Sequence, residues 1–554
     1  MRNINRNLVM LSALAILPNR GLAADQEIHL SALQNLPVEA PGCPVIALGA
    51  AGEVFVVVGP RFTRSLDHGE TFEDVQVIGN DIGGSVVADA IGNVYAYWVN
   101  RFTPTTIRLT ASQDGGRTWH DSPLQVNETS DFNAFFPRVA VDEGRRFYIT
   151  WSECNDLTAE NRAWFRRSLD GGATLEEPVP MWFEETFSDF ATPRGIVTDG
   201  EGTVHVLISG GSIENLPQSQ LFLQTSLDFG ETWSGPRPVD DPQIAIRSGG
   251  ESLACGQDGL VYVAWADHRN GGPGNDLFFS RSTDFGGTFE DPVRINTDRP
   301  VADGSIPEVR MRSDATGNVY MMWQDQADIR FNVSHDRGTT WSGDRSLFPT
   351  HFWQTARIAA NRSGQVAVMW QSRVDGEFGM ELNVSRDAGE TWLQAPLRLD
   401  EPGGRSANCG LAVDGAGIVF TGWLEDFDDT KCDLVQFRRA APTLGISLVP
   451  RDDGDGLLVI PPGGERVRID IELRNYHPTD PLGDLTASLL AGLPDGRIIG
   501  PLMDPVLFGI PSGGARRGTL RARFPGNKPP GLYFLIVTTE GAIEDSVRMP
   551  IIKR

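Results

Sequence analysis

The chain has 554 residues, including 61 Gly and 36 Pro, with a hydrophobic content of 40% and a formal net charge of −25. So many turn-forming residues beside a moderate apolar fraction indicate many short strands joined by turns, which is typical of an all-β protein. The 73 Asp and Glu against 48 Lys and Arg repel phosphate backbones and anionic lipid headgroups, so we expect no nucleic-acid partner.

The first 24 residues have the pattern of a signal peptide. Arg2 and Arg6 precede an apolar run at 8–17, and small residues follow before Asp25. The run is shorter than the roughly 20 residues that a transmembrane helix needs, and no later stretch reaches that length. We therefore expect a secreted or periplasmic monomer with no membrane span.

A turn motif of the form Ser-x-Asp-x-Gly-x-Thr-aromatic, the Asp box, occurs seven times at intervals of 47 to 58 residues. In each box the Asp carboxylate can accept N–H groups of its own turn, and glycine supplies a backbone conformation closed to other residues. The motif predicts a self-contained turn that locks a hairpin. The boxes begin at Ser65, Ser112, Ser168, Ser226, Ser282, Ser334 and Ser385.

A second repeated motif lies between the boxes. It consists of an apolar strand, a turn that contains Gly, and a second apolar strand that ends near a Trp. With one strand before each box and one after it, every unit has four strands, which is the composition of a propeller blade. An eighth copy at 410–423 lacks a box, and segment 27–33 stands in the phase of a missing fourth strand. We predict an Asp-box β-propeller over 27–440 and favour eight blades over seven, with 27–33 completing the last blade.

The repeat stops after Ala441. Short β-like segments separated by Pro-Gly turns fill residues 441–554 and predict a C-terminal immunoglobulin-like β-sandwich. An acidic turn at 452–456 lacks the Glu of an EF-hand loop, so we expect no metal there.

Five cysteines show no Cys-x-x-Cys spacing, so the sequence predicts neither a structural metal site nor a cofactor. The sequence allows two states of these cysteines: a disulfide between the first repeat and the last, which would close the ring, or free buried thiols. The cysteines are Cys43, Cys154, Cys255, Cys409 and Cys432.

Propeller geometry places the starts of first strands and the ends of second strands on one face, with the boxes on the opposite face. Four arginines stand near the starts of first strands, where they would converge on the central channel and bind a carboxylate or another anion. The alternative is that they form ion pairs with acids one strand away, Arg138 with Glu153 and Arg310 with Asp325. The arginines are Arg138, Arg194, Arg310 and Arg357.

Three acids, Glu153, Asp267 and Asp325, each lie two residues after a second-strand Trp on that face. A pair of them is a candidate acid and base for glycoside hydrolysis, while repeated structural salt bridges are the alternative. Phe136 and Trp353, in loops that enter first strands, are candidate stacking platforms for sugar rings. Packing between blades is the alternative for both.

The boxes resemble those of the sialidase superfamily, the BNR or Asp-box propellers, over roughly residues 27–440. A stretch beginning at Trp265 is similar to the repeat unit of exported bacterial sialidase-like proteins, and it reads WADHRNGGPGNDLFFSRSTDFGGTF. The resemblance implies a propeller that acts on or recognises an extracellular glycan or glycoprotein, in the manner of an exo-α-sialidase-like glycoside hydrolase.

Sialidases of that superfamily use a Tyr nucleophile. Here Tyr95, Tyr148, Tyr262 and Tyr320 all occupy one repeated position in the second strand, which favours a structural role. A non-catalytic propeller that binds a protein, a peptide or a glycan is therefore the alternative function.

Overall fold

The computed structural model describes the chain as strands, turns and bends. The described residues are 28–36, 38, 43–49, 52–79, 84–89, 91–100, 104–128, 132–142, 144–154, 161–181, 190–211, 220–240, 249–256, 258–267, 269, 274–296, 301–303, 309–325, 328–349, 356–374, 377–401, 405–426, 434–442, 444–450, 458–460, 466–475, 482–492, 498–499, 506–510, 515–523, 531–540 and 545–553. These ranges contain no helix, and hence no helix that could cross a membrane. The fold is all-β, as the composition predicts.

The first half of the chain forms two short N-terminal strands and then four units of four strands each. The N-terminal strands are β1 (Ile28–Leu30) and β2 (Gln34–Leu36). Unit 1 contains β3 (Val45–Leu48), β4 (Val54–Val58), β5 (Arg61–Ser65) and β6 (Gln76–Val77). Unit 2 contains β7 (Gly84–Ala88), β8 (Val94–Asn100), β9 (Thr106–Ser112) and β10 (Leu124–Gln125). Unit 3 contains β11 (Asn133–Val141), β12 (Phe147–Cys154), β13 (Asn161–Ser168) and β14 (Val179–Pro180). Unit 4 contains β15 (Phe190–Thr198), β16 (Val204–Gly211), β17 (Gln220–Ser226) and β18 (Arg237–Pro238).

The second half of the repeat region continues the same order. Unit 5 contains β19 (Gly249–Cys255), β20 (Val261–Asp267), β21 (Gly274–Ser282) and β22 (Val293–Arg294), with β23 (Val301–Asp303) paired to β21. Unit 6 contains β24 (Arg310–Ser313), β25 (Val319–Asp325), β26 (Asp328–Ser334) and β27 (Arg345–Pro349). Unit 7 contains β28 (Arg357–Ala360), β29 (Val366–Val374), β30 (Glu377–Ser385) and β31 (Leu397–Arg398). Unit 8 contains β32 (Arg405–Val413), β33 (Val419–Asp426) and β34 (Leu434–Pro442).

Within each unit successive strands pair antiparallel, and the units are arranged in a ring. The first strand of each unit contacts the first strand of the next, from β3 through β7, β11, β15, β19, β24 and β28 to β32, and β32 contacts β3. The second strands are almost entirely buried because a neighbouring unit covers each of their faces. A closed ring of antiparallel sheets is the architecture of a β-propeller.

The N-terminal strand joins the last unit, at the place that the sequence predicts for segment 27–33. β1 pairs antiparallel with β34, with Ile28 opposite Pro442 and Leu30 opposite Ala440. The Arg439 guanidinium then reaches unit 1, where it donates to the His68 carbonyl at 3.0 Å. Unit 8 therefore acquires its fourth strand from the other end of the repeat region, and no sheet edge is left open there.

Each Asp box begins at the last residue of a third strand and forms the predicted hydrogen bonds. In the first box, Ser65 Oγ accepts the Gly69 N–H at 2.8 Å and Asp67 Oδ1 accepts the Thr71 N–H at 2.9 Å. The Thr71 hydroxyl donates to Asp67 Oδ2 at 2.6 Å. The same bonds recur in the other six boxes.

The sequence assigned the unusual backbone conformation of the box to its glycine alone, and this is incomplete. The residue before the glycine also has positive φ, even where it carries a side chain, as in Phe229 at 60° and Arg337 at 61°. In that conformation the Phe229 N–H donates to the Gly202 carbonyl at 2.7 Å, in the turn between the first and second strands. The box is thereby fixed to the face opposite the starts of the first strands.

The aromatic residue that ends a box packs on the preceding unit rather than on its own hairpin. In five of the boxes this ring contacts, edge to face, a Phe in the third strand of the preceding unit, and edge-to-face contact is a favoured aromatic geometry. The pairs, with ring-centroid distances, are Phe62–Trp119 at 4.9 Å, Phe165–Trp233 at 4.7 Å, Phe279–Trp341 at 4.8 Å, Phe331–Trp392 at 5.1 Å and Phe72–Phe437 at 4.8 Å. The last pair joins unit 1 to unit 8.

The C-terminal region forms two further sheets. The first has the order β35-β37-β41, from β35 (Leu444–Pro450), β37 (Arg466–Asn475) and β41 (Ala515–Arg523). The second contains β36 (Leu458–Ile460), β38 (Leu482–Gly492), β39 (Ile498–Ile499), β40 (Val506–Ile510), β42 (Gly531–Glu540) and β43 (Asp545–Lys553). Residues 1–24, the turn at 452–456 and Cys432 lie outside the described residues.

Candidate functional site

The starts of the first strands, where the sequence placed the anion-binding arginines, form the inner edge of one face of the ring. Arg138 is exposed, and its guanidinium donates to the Arg194 carbonyl of the next unit at 3.3 Å. Arg194 in turn lies 3.8 Å from a Glu251 carboxylate oxygen of unit 5. These two arginines link successive units, and the Arg138–Glu153 ion pair weighed in the sequence does not form.

Four first strands contain a register shift near this edge. In β11 the shift lies between Phe135 and Arg138, and it leaves Phe136 with φ of 53° and a side chain 59% exposed. Equivalent shifts occur in β15, β19 and β32. A bulky residue held at positive φ is strained, and bulges of this kind re-aim side chains next to functional sites. The structure therefore presents Phe136 to solvent, as a stacking platform requires, while Trp353 lies outside the described residues.

A second arginine cluster lies on units 6 and 7, and it contains one residue that the sequence reasoning missed. Burial lowers the pKa of Arg312, and repulsion by Arg310 and Arg357 lowers that pKa further. Arg312 is nevertheless exposed to solvent, so a dissolved anion can reach its guanidinium. Arg310 and Arg312 stand two residues apart in β24, and Arg357 begins β28, the first strand of the next unit. The three positive charges are thus close enough to repel one another.

The hydrogen bonds of Arg312 and Arg357 leave their positive charge available. Arg312 donates to the Met311 carbonyl at 2.8 Å, and Arg357 donates to the Ala356 carbonyl at 3.2 Å. Among the described residues neither guanidinium has a carboxylate partner. A guanidinium group without a carboxylate partner is suited to bind a planar anion such as the carboxylate of a ligand.

Two of the three predicted catalytic acids accept a hydrogen bond from the Trp that precedes them. Trp151 Nε1 donates to Glu153 at 3.1 Å, and Trp265 Nε1 donates to Asp267 at 2.8 Å. Glu153 is 2% exposed and Asp267 is fully buried. The Trp-x-acid spacing therefore has a structural explanation, because each acid satisfies an indole N–H that is itself buried.

Asp267 belongs to a buried ionic group at the contact between units 4 and 5. The Arg269 guanidinium donates to Asp267 Oδ2 at 2.6 Å and also binds Asp240 of unit 4. The third predicted acid, Asp325, is 3% exposed and lies 4.0 Å from Arg330 Nε. Asp267 thus lies between units, whereas Asp325 and Arg330 both belong to unit 6, the unit that contains Arg310 and Arg312.

A fourth member of the Trp-x-acid series, Glu425, was missed. Trp423 Nε1 donates to Glu425 Oε2 at 3.1 Å, and burial raises the pKa of this carboxyl, which is 2% exposed. The signal was present in the sequence, since Trp423 and Glu425 stand in the same phase as Trp151 and Glu153. It was overlooked because the last unit lacks an Asp box.

The repeated tyrosines have the structural role that their position favours. The hydroxyl groups of Tyr95, Tyr148 and Tyr320 donate to the Asp that ends the preceding first strand, at 3.2, 2.9 and 2.6 Å. Burial raises the pKa of all three phenols, and the neighbouring carboxylates raise it further. A phenol held neutral in this way is a poor nucleophile.

The lone Cys255 is also structural. Its thiol donates to the Thr198 carbonyl at 3.3 Å, and burial raises its pKa to about 12. A thiol with so high a pKa is unreactive at neutral pH. Among the described residues no group of three or more His, Cys, Asp or Glu side chains is placed to hold a metal ion.

Comparison with known proteins gives no sequence family and no curated relative that matches this chain. Solved structures that resemble it include a fungal alcohol oxidase in complex with copper, at 13% identity and a TM-score of 0.42, covering 94% of this chain and 99% of that one. The NanB sialidase of Streptococcus pneumoniae is 12% identical with a TM-score of 0.37, covering 65% of this chain and 68% of that one. An α-L-arabinofuranosidase of Fusarium graminearum is 14% identical with a TM-score of 0.35, covering 55% of this chain and 93% of that one.

These TM-scores are all below 0.5. The solved structures that resemble this chain include glycoside hydrolases and also an oxidase. The comparisons therefore leave the assignment of a function to the site itself.

Proposed function

We propose that the protein is an exported propeller that acts on or recognises an extracellular glycan carrying a carboxylate or another anionic group. The observation that carries this proposal is the cluster of Arg310, Arg312 and Arg357. Its three guanidinium groups lie close enough to lower the pKa of Arg312. In a chain of net charge −25, gathering like positive charges at the inner edge of the ring has a cost that an anionic ligand would repay.

The architecture that supports this proposal is an eight-bladed propeller, in which units 1 to 8 are the blades and β1 completes the last one. The two C-terminal sheets would then be the layers of an immunoglobulin-like sandwich that serves as a spacer or adaptor. The pattern of the first 24 residues supports export to a secreted or periplasmic location.

Recognition without cleavage is the form of this function that the contacts favour. Glu153 and Asp267 are buried beneath Trp indoles, whereas a catalytic acid pair must reach a glycosidic bond on both sides. Exposed Phe136 adds a ring on which a sugar can stack. Hydrolysis stays the second candidate, with Glu153, Asp267 and Asp325 as its acids, on the resemblance of the boxes to those of sialidases.

The test is retention of glycans by the purified mature protein on a panel that pairs acidic sugars with their neutral counterparts, including fluorogenic sialosides to score turnover. We expect acidic glycans to be retained and Arg312→Gln to weaken their binding at least about tenfold, the loss of one charge-assisted bidentate contact. Arg117→Gln is the matched control, because Arg117 is exposed in a box on the opposite face. Equal retention by all three proteins would refute the assigned site.

Turnover separates the two forms of the proposal. If the protein hydrolyses a sialoside and Asp267→Asn or Asp325→Asn abolishes that reaction, the hydrolase reading replaces simple recognition. Retention of acidic glycans without turnover supports recognition.

A further inference from the structure

Units 2, 4, 5 and 7 have a polar residue two positions after the fourth strand, at the contact with the next unit. In three units this side chain accepts the N–H of a third-strand residue, with Asn127 accepting from Ile107, Asn296 from Leu277 and Asp400 from Met380. The corresponding residue of unit 4 is Asp240. Two units thus have a neutral amide at this position and two have a carboxyl group.

Where the position is Asp, it lies close to the acid that follows the Trp of the next unit. Asp240 shares the Arg269 guanidinium with Asp267, and Asp400 shares the Ser406 hydroxyl with Glu425. All four carboxyl groups are buried. Two buried carboxylates repel each other unless a positive charge or a proton compensates one of them.

Between units 4 and 5 the compensation is the positive charge of Arg269. Between units 7 and 8 the two carboxyl groups share no guanidinium among the described residues: of the two, Arg398 contacts Asp400 alone, and the residue two positions after Glu425 is Phe427 rather than arginine. Ser406 lies directly opposite Glu425 in the antiparallel pair of β32 and β33. Its Oγ is 2.9 Å from Asp400 Oδ2 and 2.6 Å from Glu425 Oε2.

A serine hydroxyl has one hydrogen, so it can donate to only one of these two oxygens. The other short contact needs a hydrogen from the carboxyl group. Arg398 lies 3.1 Å from Asp400 Oδ1, whereas no guanidinium of the described residues contacts the Glu425 carboxyl, so we assign the hydrogen to Glu425. Glu425 Oε1 is buried with no hydrogen-bond partner among the described residues, a state that a neutral carbonyl oxygen tolerates far better than a charged carboxylate.

We propose that Glu425 carries a proton in the native protein and that the resulting chain of hydrogen bonds, from Glu425 through Ser406 to Asp400, holds units 7 and 8 together in place of a shared arginine. Glu425 O–H donates to Ser406 Oγ, and Ser406 O–H donates to Asp400 Oδ2. The contact between units 7 and 8 is then sensitive to pH, whereas the contact between units 4 and 5 is not.

The surrounding charges agree with this assignment. Burial raises the pKa of Glu425, the Ser406 and Trp423 hydrogen bonds lower it, the Asp400 charge raises it and Arg398 lowers it, with a net rise. On the adjacent strands, Glu381 of β30 accepts the Ser372 hydroxyl and Arg438 of β34 donates to the Ser31 and Leu399 carbonyls. Gln371 of β29 donates to the Ser406 carbonyl.

The sign of the effect follows from the raised pKa. A carboxyl whose pKa is higher in the folded state than in the unfolded chain stabilises the fold fully at pH below its ordinary value, 4.5. That stabilisation is lost as the pH rises through the folded-state pKa, because the native protein must then bury a second negative charge. We therefore expect the last unit to loosen as the pH rises.

The experiment is urea unfolding of the full mature chain, followed by tryptophan fluorescence from acidic to mildly alkaline pH. Over the titration of Glu425, the unfolding equilibrium constant of the wild type should rise by up to about tenfold per pH unit. Glu425→Gln keeps the shape and cannot ionise, so its stability should lose this dependence. Parallel curves for the wild type and Glu425→Gln would overturn the proposal.

A second variant guards against a folding failure of the first. Asp400→Asn restores the residue type of units 2 and 5, whose asparagines make the same hydrogen bond to the third strand. Removing the Asp400 charge should lower the folded-state pKa of Glu425, because an ionised Glu425 then faces a neutral partner and Arg398. The loss of stability should therefore end at a lower pH than in the wild type, and its total should shrink.

Hydrogen exchange of the unmodified protein gives a test that needs no variant. After correction for intrinsic exchange rates, peptides from β32 and β33 should lose protection as the pH rises, while peptides from β19 and β20 keep theirs. Equal loss of protection at both contacts would contradict the assignment of the proton to Glu425.

Discussion

The ionic group of Asp240, Arg269 and Asp267 offers the sharpest test of how the units are held together. Arg269→Met keeps an apolar side chain of similar length over the Phe278 ring, where the guanidinium lies 4.2 Å from the ring centroid. What it removes is the charge that both buried carboxylates share. Breaking a buried ion pair on one side costs about 3–5 kcal/mol, which corresponds to a change of about two to four powers of ten in the unfolding equilibrium constant.

Urea unfolding at neutral pH measures this loss, taken from the transition of the repeat region because the C-terminal sheets need not unfold in the same step. The loss should shrink at acidic pH, where protonation of one carboxylate removes the uncompensated charge. Arg281→Met is the control, since the Glu290 partner of Arg281 is 54% exposed and such a pair contributes at most about 1 kcal/mol. A loss at Arg269 no larger than at Arg281, or one that does not change with pH, would refute the reasoning.

Two further predictions concern the Asp boxes. The box hydrogen bonds lower the pKa of Asp114 from 3.8 to about 2 against the opposing effect of burial, so its stabilisation is present above pH 3.8 and is lost as the pH falls through about 2. Asp114→Asn should therefore cost about 1 kcal/mol at neutral pH, since solvent screens this exposed carboxylate, and nothing at the acid end of a urea-unfolding series. Gly338 has φ of 80°, and a Cβ there would lie 2.7 Å from Phe279 Cζ of the preceding unit, so Gly338→Ala should cost about 2–3 kcal/mol. Gly92→Ala, at φ of 92° with no atom within 4 Å, should cost about 1 kcal/mol from backbone strain alone, and equal losses in the two variants would contradict the steric argument.

The sequence predicted the repeated turns and the four-stranded units well because their determinants are local. Ser65, Asp67 and Thr71 complete their hydrogen bonds within seven residues, so the motif alone identifies the turn. The pairing of β1 with β34 was also predicted, since it follows from counting strands around a closed ring. In both cases a rule that acts on every unit was enough.

The candidate site was harder to predict because its determinants lie between units. The position of Arg138 in its strand predicted where it lies on the ring. Its partner, however, is a backbone carbonyl of the next unit, and a sequence cannot identify that partner because every residue has a carbonyl group. Arg312 was passed over because it stands two residues beyond the repeated arginine position. The distinction between Asp267, which has Arg269, and Glu425, which has Ser406, depends on side chains from two units and two strands.

The closure of the ring by β1 also constrains how the chain is made. Leu30 pairs with Ala440, so the first strand to leave the ribosome waits for a partner that is synthesised 410 positions later. During synthesis the edge of β34 and the complementary edge of β1 are both unsatisfied, and pairing them has the large entropic cost of closing a very long loop. The ring is consequently slow to close during folding, and a chain that loses its N-terminal strand would present β34 to the corresponding strand of another molecule.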